Sequence, residues 1–129
     1  MADTTDRLNP RVLVVDDERI IADTLEMILS MSGYDTRAAY SGEMAIEMAR
    51  NFHPDMMITD VVMPGITGIE AAIKVREIVP ACGVLLISGQ AATQHLVEKS
   101  RSQNQEFELL LKPVHPTVLI AKLQSVIAA

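Results

Sequence analysis

The chain alternates short apolar runs with longer stretches in which apolar residues recur at helical spacing. Apolar runs of this length, set between helical stretches, are typical of buried parallel strands. The pattern predicts five strands, at residues 12–15, 34–39, 55–60, 84–87 and 107–111. It also predicts five helices, at residues 18–32, between Ser41 and Pro54, and at 67–79, 91–101 and 117–128.

Glycine, proline and serine residues mark several ends of these elements. Gly33 predicts a helix C-cap, Ser41 predicts an N-cap, and Pro54 predicts a break after the second helix. Gly65 and Gly68 are predicted to be turn glycines rather than part of a phosphate-binding loop, because the P-loop lysine is absent. The stripe of the second helix that is predicted to be buried consists of Met44, Ala45, Met48, Ala49 and Phe52.

The regular alternation of strand and helix predicts the fold class. Right-handed crossovers between parallel strands wrap helices over both faces of a sheet. We therefore expect an α/β fold with a doubly wound, five-stranded parallel sheet, in which the less apolar strand at 34–39 lies toward an edge. One domain is predicted at residues 11–128, preceded by a polar N-terminal tail at residues 1–10.

Length, composition and charge restrict the class of protein further. The 129 residues suit one domain, and 49% hydrophobic with 22% charged residues indicates a globular chain. The net charge of −6 argues against direct binding to nucleic acid, which needs a basic patch for the phosphates. An acidic balance is compatible with a chain that binds other proteins.

Sequence features also suggest where the chain works. Cys82 is the single cysteine, so the chain forms no internal disulfide, and a small buried residue is expected there. The polar N-terminus lacks a secretory signal, and no apolar stretch approaches the roughly 20 residues of a membrane span. A cytoplasmic location without membrane contact is therefore expected.

Charged residues follow three of the apolar runs. Asp16 and Asp17 follow the first strand, Asp60 ends the third and Lys112 follows the fifth. In an open parallel sheet, residues at the carboxyl ends of the strands meet at one edge, where ligands bind. Three carboxylates beside one ammonium group repel each other unless a cation joins them. This edge is therefore predicted to bind a metal and to carry out phosphate chemistry.

Nearly the whole chain, from 11 to 127, resembles the receiver domain of two-component response regulators. The resemblance is carried by four motifs in order, each at a strand end: Asp16-Asp17, Asp60 with Met63-Pro64-Gly65 and Gly68, Ser88, and Lys112-Pro113. It implies the flavodoxin-like (βα)5 arrangement, with strand order 2-1-3-4-5. It also implies a cis Lys112–Pro113 peptide bond.

The resemblance implies a role for each residue of the acidic edge. Asp60 is the expected phosphoacceptor, whose carboxylate becomes an acyl phosphate. Lys112 and Ser88 are expected to bind phosphoryl oxygens. Mg²⁺ is the expected cofactor, because it prefers oxygen ligands. Its expected ligands are Asp16, Asp17, Asp60 and the backbone carbonyl of Val62.

Four positions bear on how this chain departs from the receiver pattern or modulates it. An aromatic residue usually stands three positions before the lysine and turns inward on activation, whereas this chain has Leu109 there. Phe107 is expected to share the face of Leu109 by strand alternation. Val62 and Gln90 occupy the two positions that tune hydrolysis in similar domains, and neither is an acid. We therefore expect a phosphoryl lifetime that is not unusually short.

The resemblance predicts a signalling module that is not an enzyme beyond its own phosphoryl transfer and autodephosphorylation. Its expected partners are a sensor histidine kinase or histidine phosphotransfer protein, and a downstream target or effector domain. Output is expected at the surface formed by residues 91–101, 107–111 and 117–128, in a monomer or a phosphorylation-dependent dimer. Two alternatives stay open: an interaction module that works without phosphorylation and, less favoured, a Mg²⁺-dependent aspartyl phosphatase. The chain could also be one part of a longer regulator.

Overall fold

The computed structural model of the protein describes residues 9–89 and 107–128. It contains a five-stranded sheet in which all neighbouring strands are parallel. The strands are β1 (Arg11–Val15), β2 (Asp35–Ala39), β3 (Met56–Asp60), β4 (Gly83–Ser88) and β5 (Glu108–Leu111). Their order is β2-β1-β3-β4-β5, which confirms both the predicted fold class and the edge position of the second strand.

Four helices are described: α1 (Arg19–Met31), α2 (Gly42–Phe52), α3 (Gly68–Ile78) and α4 (Pro116–Ala128). Ser41 caps α2 as predicted, since its side chain accepts a hydrogen bond from the Met44 amide. Thr67 caps α3 in a reciprocal capping box with Glu70. The helix predicted at 91–101 lies outside the described residues, as does Gln90.

The sheet is buried on both faces because successive residues of each central strand point to opposite sides. Leu13 and Val15 of β1 pack in the core beneath α2 and α3. Val12 and Val14 pack in the second core, which contains Ala22 and Leu29 of α1 and Leu119 and Leu123 of α4. Cys82 is buried as predicted, with 2% of its surface exposed.

Two predictions about α2 and α3 are wrong. Met44 is exposed rather than buried, because it lies in the first turn of α2 and its Sδ accepts from the Tyr40 amide at 3.5 Å. Gly68 is not a turn residue: it begins α3, whereas Gly65 has the positive φ of 83° that a turn glycine adopts. Within the described part of the chain, none of the helices could cross a membrane.

Candidate site at the carboxyl edge of the sheet

The register of the sheet brings the predicted site residues to one edge. Val15 is opposite Thr59 in the β1–β3 pair, so Asp16 and Asp60 follow on adjacent strands. Ser88 is opposite Leu111 in the β4–β5 pair, so Lys112 follows directly beyond it. The alignment is a consequence of parallel pairing, in which all carboxyl ends lie at the same edge.

Asp16, Asp17 and Asp60 form an acidic cluster. One carboxylate oxygen from each residue lies within 4.8 Å of the other two. Asp16 is buried, with 3% of its surface exposed, and its Oδ1 accepts from the Glu18 amide at 2.9 Å. Asp17 is exposed and Asp60 is partly buried, so the cluster extends from the sheet to solvent.

Lys112 joins two of these carboxylates. Its Nζ lies 3.3 Å from Asp16 Oδ2 and 3.5 Å from Asp60 Oδ2. The Lys112 amide donates to the Ser88 carbonyl at 2.8 Å, which fixes the lysine backbone to the end of β4. The Lys112–Pro113 bond is cis, as the resemblance implied.

Asp60 and Lys112 both have pKa values above their ordinary ones. Burial raises the pKa of Asp60, with help from the Asp16 charge, although Lys112 and the Val61 amide oppose the rise. Burial by itself would lower the pKa of Lys112, but Asp16 and Asp60 together outweigh it and raise that pKa. The ionised Asp60 carboxylate is thus held at a free-energy cost, while the lysine ammonium is favoured.

A cavity of about 440 Å³ lies beside the cluster. Asp16, Asp60 and Lys112 are part of its lining. Most of the other lining residues are apolar: Val14, Val15, Ile21, Leu25, Ile58, Ile87, Pro113, Val114 and Leu119. Apolar surroundings of this kind solvate a carboxylate poorly, which is consistent with the raised pKa of Asp60.

The donor set suits a hard divalent cation. Three carboxylates supply oxygen ligands, which Mg²⁺ and Ca²⁺ prefer over nitrogen or sulfur. Exposed Asp17 leaves room for ligand water, which Mg²⁺ commonly retains. Val62 lies in the β3–α3 loop with its side chain 43% exposed, and metal binding by its carbonyl stays a prediction.

The other predicted residues that the structure describes lie on or next to β4 and β5, and Ser88 is the one at the carboxyl edge. Ser88 is the last residue of β4 and is buried. Phe107 is buried in the core beneath α2 and α3, with the Arg76 guanidinium 4.8 Å from its ring centroid. Leu109 packs against the same core, so the expectation that Phe107 and Leu109 share a face is confirmed.

Sequence reasoning about the site missed Thr59, and it named Gly68 as part of a motif without predicting its close approach to Asp60. Thr59 is fully buried, and its Oγ1 donates to the Asp60 carbonyl at 2.9 Å. A Cβ at Gly68 would lie 2.0 Å from that same carbonyl oxygen, so only glycine fits there. The available signal for Thr59 was a hydroxyl in an apolar run directly before Asp60.

Comparison with known proteins places the chain among signalling proteins. The family profile described as "Response regulator receiver domain" matches residues 12–124. The DNA-binding response regulator MtrA of Mycobacterium tuberculosis is 27% identical over 120 residues, which are 93% of this chain and 51% of MtrA. The chain therefore spans about half the length of that curated relative.

Solved structures show the same similarity. The chemotaxis protein CheY4 of Vibrio cholerae superimposes with a TM-score of 0.81 at 28% identity, covering 92% of this chain and 98% of CheY4. A CheY-like receiver domain protein from Methanospirillum hungatei has a TM-score of 0.83 at 23% identity, covering 93% of this chain and 94% of that chain. The similarity to the Methanospirillum hungatei protein supports the fold alone.

Proposed function

Since the chain belongs to the response regulator receiver domain family, we propose that it accepts a phosphoryl group on Asp60. Receiver domains are signalling modules rather than classical enzymes. The proposed donor is a sensor histidine kinase or a histidine phosphotransfer protein. The proposed result is a shift between two conformations that a downstream protein or effector domain detects.

The observation that supports this role best is the composition of the acidic edge. Three carboxylates lie within 4.8 Å of one another, and Lys112 Nζ is within 3.3 and 3.5 Å of two of them. A purely structural salt bridge needs one acid for one base, and the additional carboxylates raise the free energy of the folded state. Such an excess of negative charge is typical of a metal site for phosphate chemistry.

In the proposed transfer, an oxygen of the Asp60 carboxylate attacks the phosphorus of a phosphohistidine. The new P–O bond forms as the P–N bond breaks, and the leaving imidazole takes the bonding electron pair and a proton from solvent. Lys112 favours the ionised carboxylate and can bind a phosphoryl oxygen in the product. Ser88 can donate its hydroxyl proton to another phosphoryl oxygen.

The cluster residues Asp16, Asp17 and Asp60, with the Val62 carbonyl, are the proposed ligands of Mg²⁺. When bound, the ion supplies positive charge that offsets repulsion between the carboxylates and an incoming phosphoryl group. Asp16 also positions Lys112, because its Oδ2 accepts a hydrogen bond from the Lys112 ammonium group.

Hydrolysis and output are proposed to depend on the residues around this edge. Val62 and Gln90 carry no charge that would activate an attacking water, so a phosphoryl lifetime that is not unusually short is expected. Because Leu109 replaces the usual aromatic switch, Phe107 is the proposed substitute on the same face. The proposed output surface comprises residues 91–101, β5 and α4, in a cytoplasmic monomer or a phosphorylation-dependent dimer.

The test is intact mass after incubation with acetyl phosphate and Mg²⁺. The wild type is expected to gain one phosphoryl group, and Asp60→Asn is expected to gain none. A matched control is Asp55→Asn, which neutralises a carboxylate at the opposite edge of the sheet and should leave the mass gain unchanged. An unchanged wild-type mass would favour the phosphorylation-independent interaction module, and sustained hydrolysis of the donor would favour the phosphatase.

A second measurement tests the lifetime. After removal of the donor, loss of the phosphoryl group is followed by mass over time in Mg²⁺. A decay that is not unusually fast is expected because the flanking residues are uncharged, and loss within seconds would contradict the assignment of Val62 and Gln90 as neutral modulators.

A further inference from the structure

We infer that Thr59 is a positioning residue for the proposed phosphoacceptor, acting through the main chain of Asp60. The inference rests on the proposed function and adds a residue to it. Its basis is the hydrogen bond that the Thr59 hydroxyl donates to the Asp60 carbonyl at 2.9 Å. The hydroxyl belongs to a fully buried side chain at the carboxyl end of β3.

The position of Thr59 in the sheet directs its side chain toward α3. Met57 and Val61, two residues before and after it, both pack in the core beneath α2 and α3. Strand alternation therefore places Thr59 on that same face. Valine or isoleucine would suit the same apolar face by β propensity, so the hydroxyl is the feature that needs an explanation.

The first residue of α3 also lies close to the Asp60 carbonyl. A Cβ at Gly68 would lie 2.0 Å from Asp60 O and 2.9 Å from Thr59 Oγ1, so the first residue of α3 approaches both atoms closely. The Gly68 amide donates to the Val61 carbonyl at 2.8 Å. The peptide group between Asp60 and Val61 is thus bonded by the Thr59 hydroxyl at its carbonyl and by the Ile87 carbonyl, 3.2 Å away, at its amide, and the Gly68 amide bonds the next carbonyl along the chain.

The orientation of this peptide group determines where the Asp60 carboxylate points. Rotation of the group changes the backbone dihedral of Asp60 and moves the carboxylate relative to Lys112 and Asp16. It also moves the loop that carries Val62. Displacements of about 1 Å in such sites can lower a rate by about a hundredfold, so one hydrogen bond that limits this rotation affects the chemistry.

The test compares Thr59→Val, which keeps the shape and removes the hydroxyl, with Thr59→Ser, which retains it. Thr36→Val is the matched control, because Thr36 is also a buried strand threonine, its hydroxyl donates to the Tyr34 carbonyl at 3.5 Å, and it lies in β2. Two quantities are measured on the full chain: the rate of phosphorylation by acetyl phosphate at saturating Mg²⁺, and the Mg²⁺ dissociation constant by calorimetry.

Thr59→Val is expected to slow phosphorylation and to weaken Mg²⁺ binding, each by about 3- to 10-fold, as the loss of one hydrogen bond would. Thr59→Ser should restore both values to within about twofold of the wild type, and Thr36→Val should change neither. A purely structural role would lower the urea midpoint of Thr59→Val without changing the Mg²⁺ dissociation constant, and that result overturns the inference.

The two measurements separate this inference from the proposed function. If the wild type binds Mg²⁺ but gains no phosphoryl group, the proposed function fails, and the Mg²⁺ dissociation constants alone decide the role of Thr59. Equal constants for the wild type and Thr59→Val, or no Mg²⁺ binding by either, overturn the positioning role.

Discussion

The two edges of the sheet both carry charged side chains, but their arrangements differ. At the amino edge, Arg11 donates from its backbone amide to Asp55 Oδ2 at 2.8 Å and from Nη1 to the Phe52 carbonyl at 3.0 Å. Arg11 and Arg37 also lie over the Phe52 ring, 5.9 and 5.2 Å from its centroid. At the carboxyl edge, the three carboxylates of the acidic cluster lie within 4.8 Å of one another, and two of them contact the same lysine.

The two edges differ in whether their charges stabilise the fold. Charges at the amino edge satisfy backbone groups and cover an aromatic ring, as charges in a stable structure usually do. At the carboxyl edge, burial raises the pKa of Asp60, with help from the Asp16 charge, and this rise is a cost in stability. Sites that bind ions and transfer groups commonly carry such a cost, because the ligand offsets it.

The same substitution at the two edges should give very different stabilities. Gly68→Ala is expected to lower the free energy of unfolding by about 3 kcal/mol, because its Cβ would meet the Asp60 carbonyl at 2.0 Å. Gly83→Ala, at the start of β4, should cost about 1 kcal/mol or less, because its nearest contact is the flexible Met56 side chain at 2.4 Å. Urea unfolding of both variants measures the contrast, and equal losses would contradict it.

Mg²⁺ should stabilise the folded chain through the carboxyl edge alone. At a free concentration of 100 times the dissociation constant, Mg²⁺ is expected to raise the free energy of unfolding by about 2.7 kcal/mol, because it binds the folded state. Asp17→Asn should lose most of this increment, since it removes an exposed member of the cluster. Asp55→Asn should keep it. Equal increments in both variants would show that the cluster is not the metal site.

Neutralising one carboxylate should have opposite effects at the two edges. Without Mg²⁺, Asp60→Asn is expected to raise the free energy of unfolding by about 1 kcal/mol, because it removes a poorly solvated charge. Asp55→Ala should lower it by a similar amount, because it removes the oxygen that accepts from the Arg11 amide. Urea unfolding at pH 7 in EDTA measures both changes.

The pH dependence of the Asp60→Asn effect has a definite sign. A carboxyl with a raised pKa is destabilising where it is ionised, so the advantage of asparagine is present at pH 7. It should fade as the pH falls through the raised pKa of the folded state, and it should vanish below the ordinary aspartate range, where Asp60 is protonated in both states. An advantage that grows on acidification would contradict the cause assigned to this pKa shift.

The last expected effect is a change of stability with pH that comes from the buried Cys82 thiol near the amino edge. Burial raises the pKa of Cys82 to about 12, so above pH 9 the unfolded chain loses this proton before the folded chain does. The free energy of unfolding should therefore fall by about 1 kcal/mol between pH 8 and pH 10. Cys82→Ala should remove this part of the slope, and an identical slope in the variant would refute the assignment.

Much of the acidic edge could be predicted from sequence because parallel topology converts sequence position into spatial position. Asp16, Asp60 and Lys112 each follow an apolar run, and strands paired in parallel bring such residues together. The edge position of the second strand could also be predicted, because its residues are less apolar than those of the central strands. The meeting of the four charged groups is therefore a consequence of the fold class.

Contacts between elements were not predictable in the same way. The closeness of Gly68 to the Asp60 carbonyl depends on how near α3 comes to β3, which hydrophobic periodicity does not encode. The hydrogen bond of the Thr59 hydroxyl to that carbonyl lies within β3, and periodicity does not encode the partner of a buried hydroxyl either. The exposure of Met44 has a similar cause. Helical spacing assigned it to the buried stripe, but its side chain contacts the backbone of the preceding turn at Tyr40 instead.

The most direct test of the account is the position of the phosphoryl group. After phosphorylation, reduction with borohydride converts an aspartyl phosphate into homoserine, and peptide mass spectrometry locates the changed residue. The account predicts homoserine at position 60 in the wild type, only after treatment with both acetyl phosphate and Mg²⁺. Homoserine at position 16 or 17, or at none of the three, would contradict the assignment of Asp60 as the phosphoacceptor.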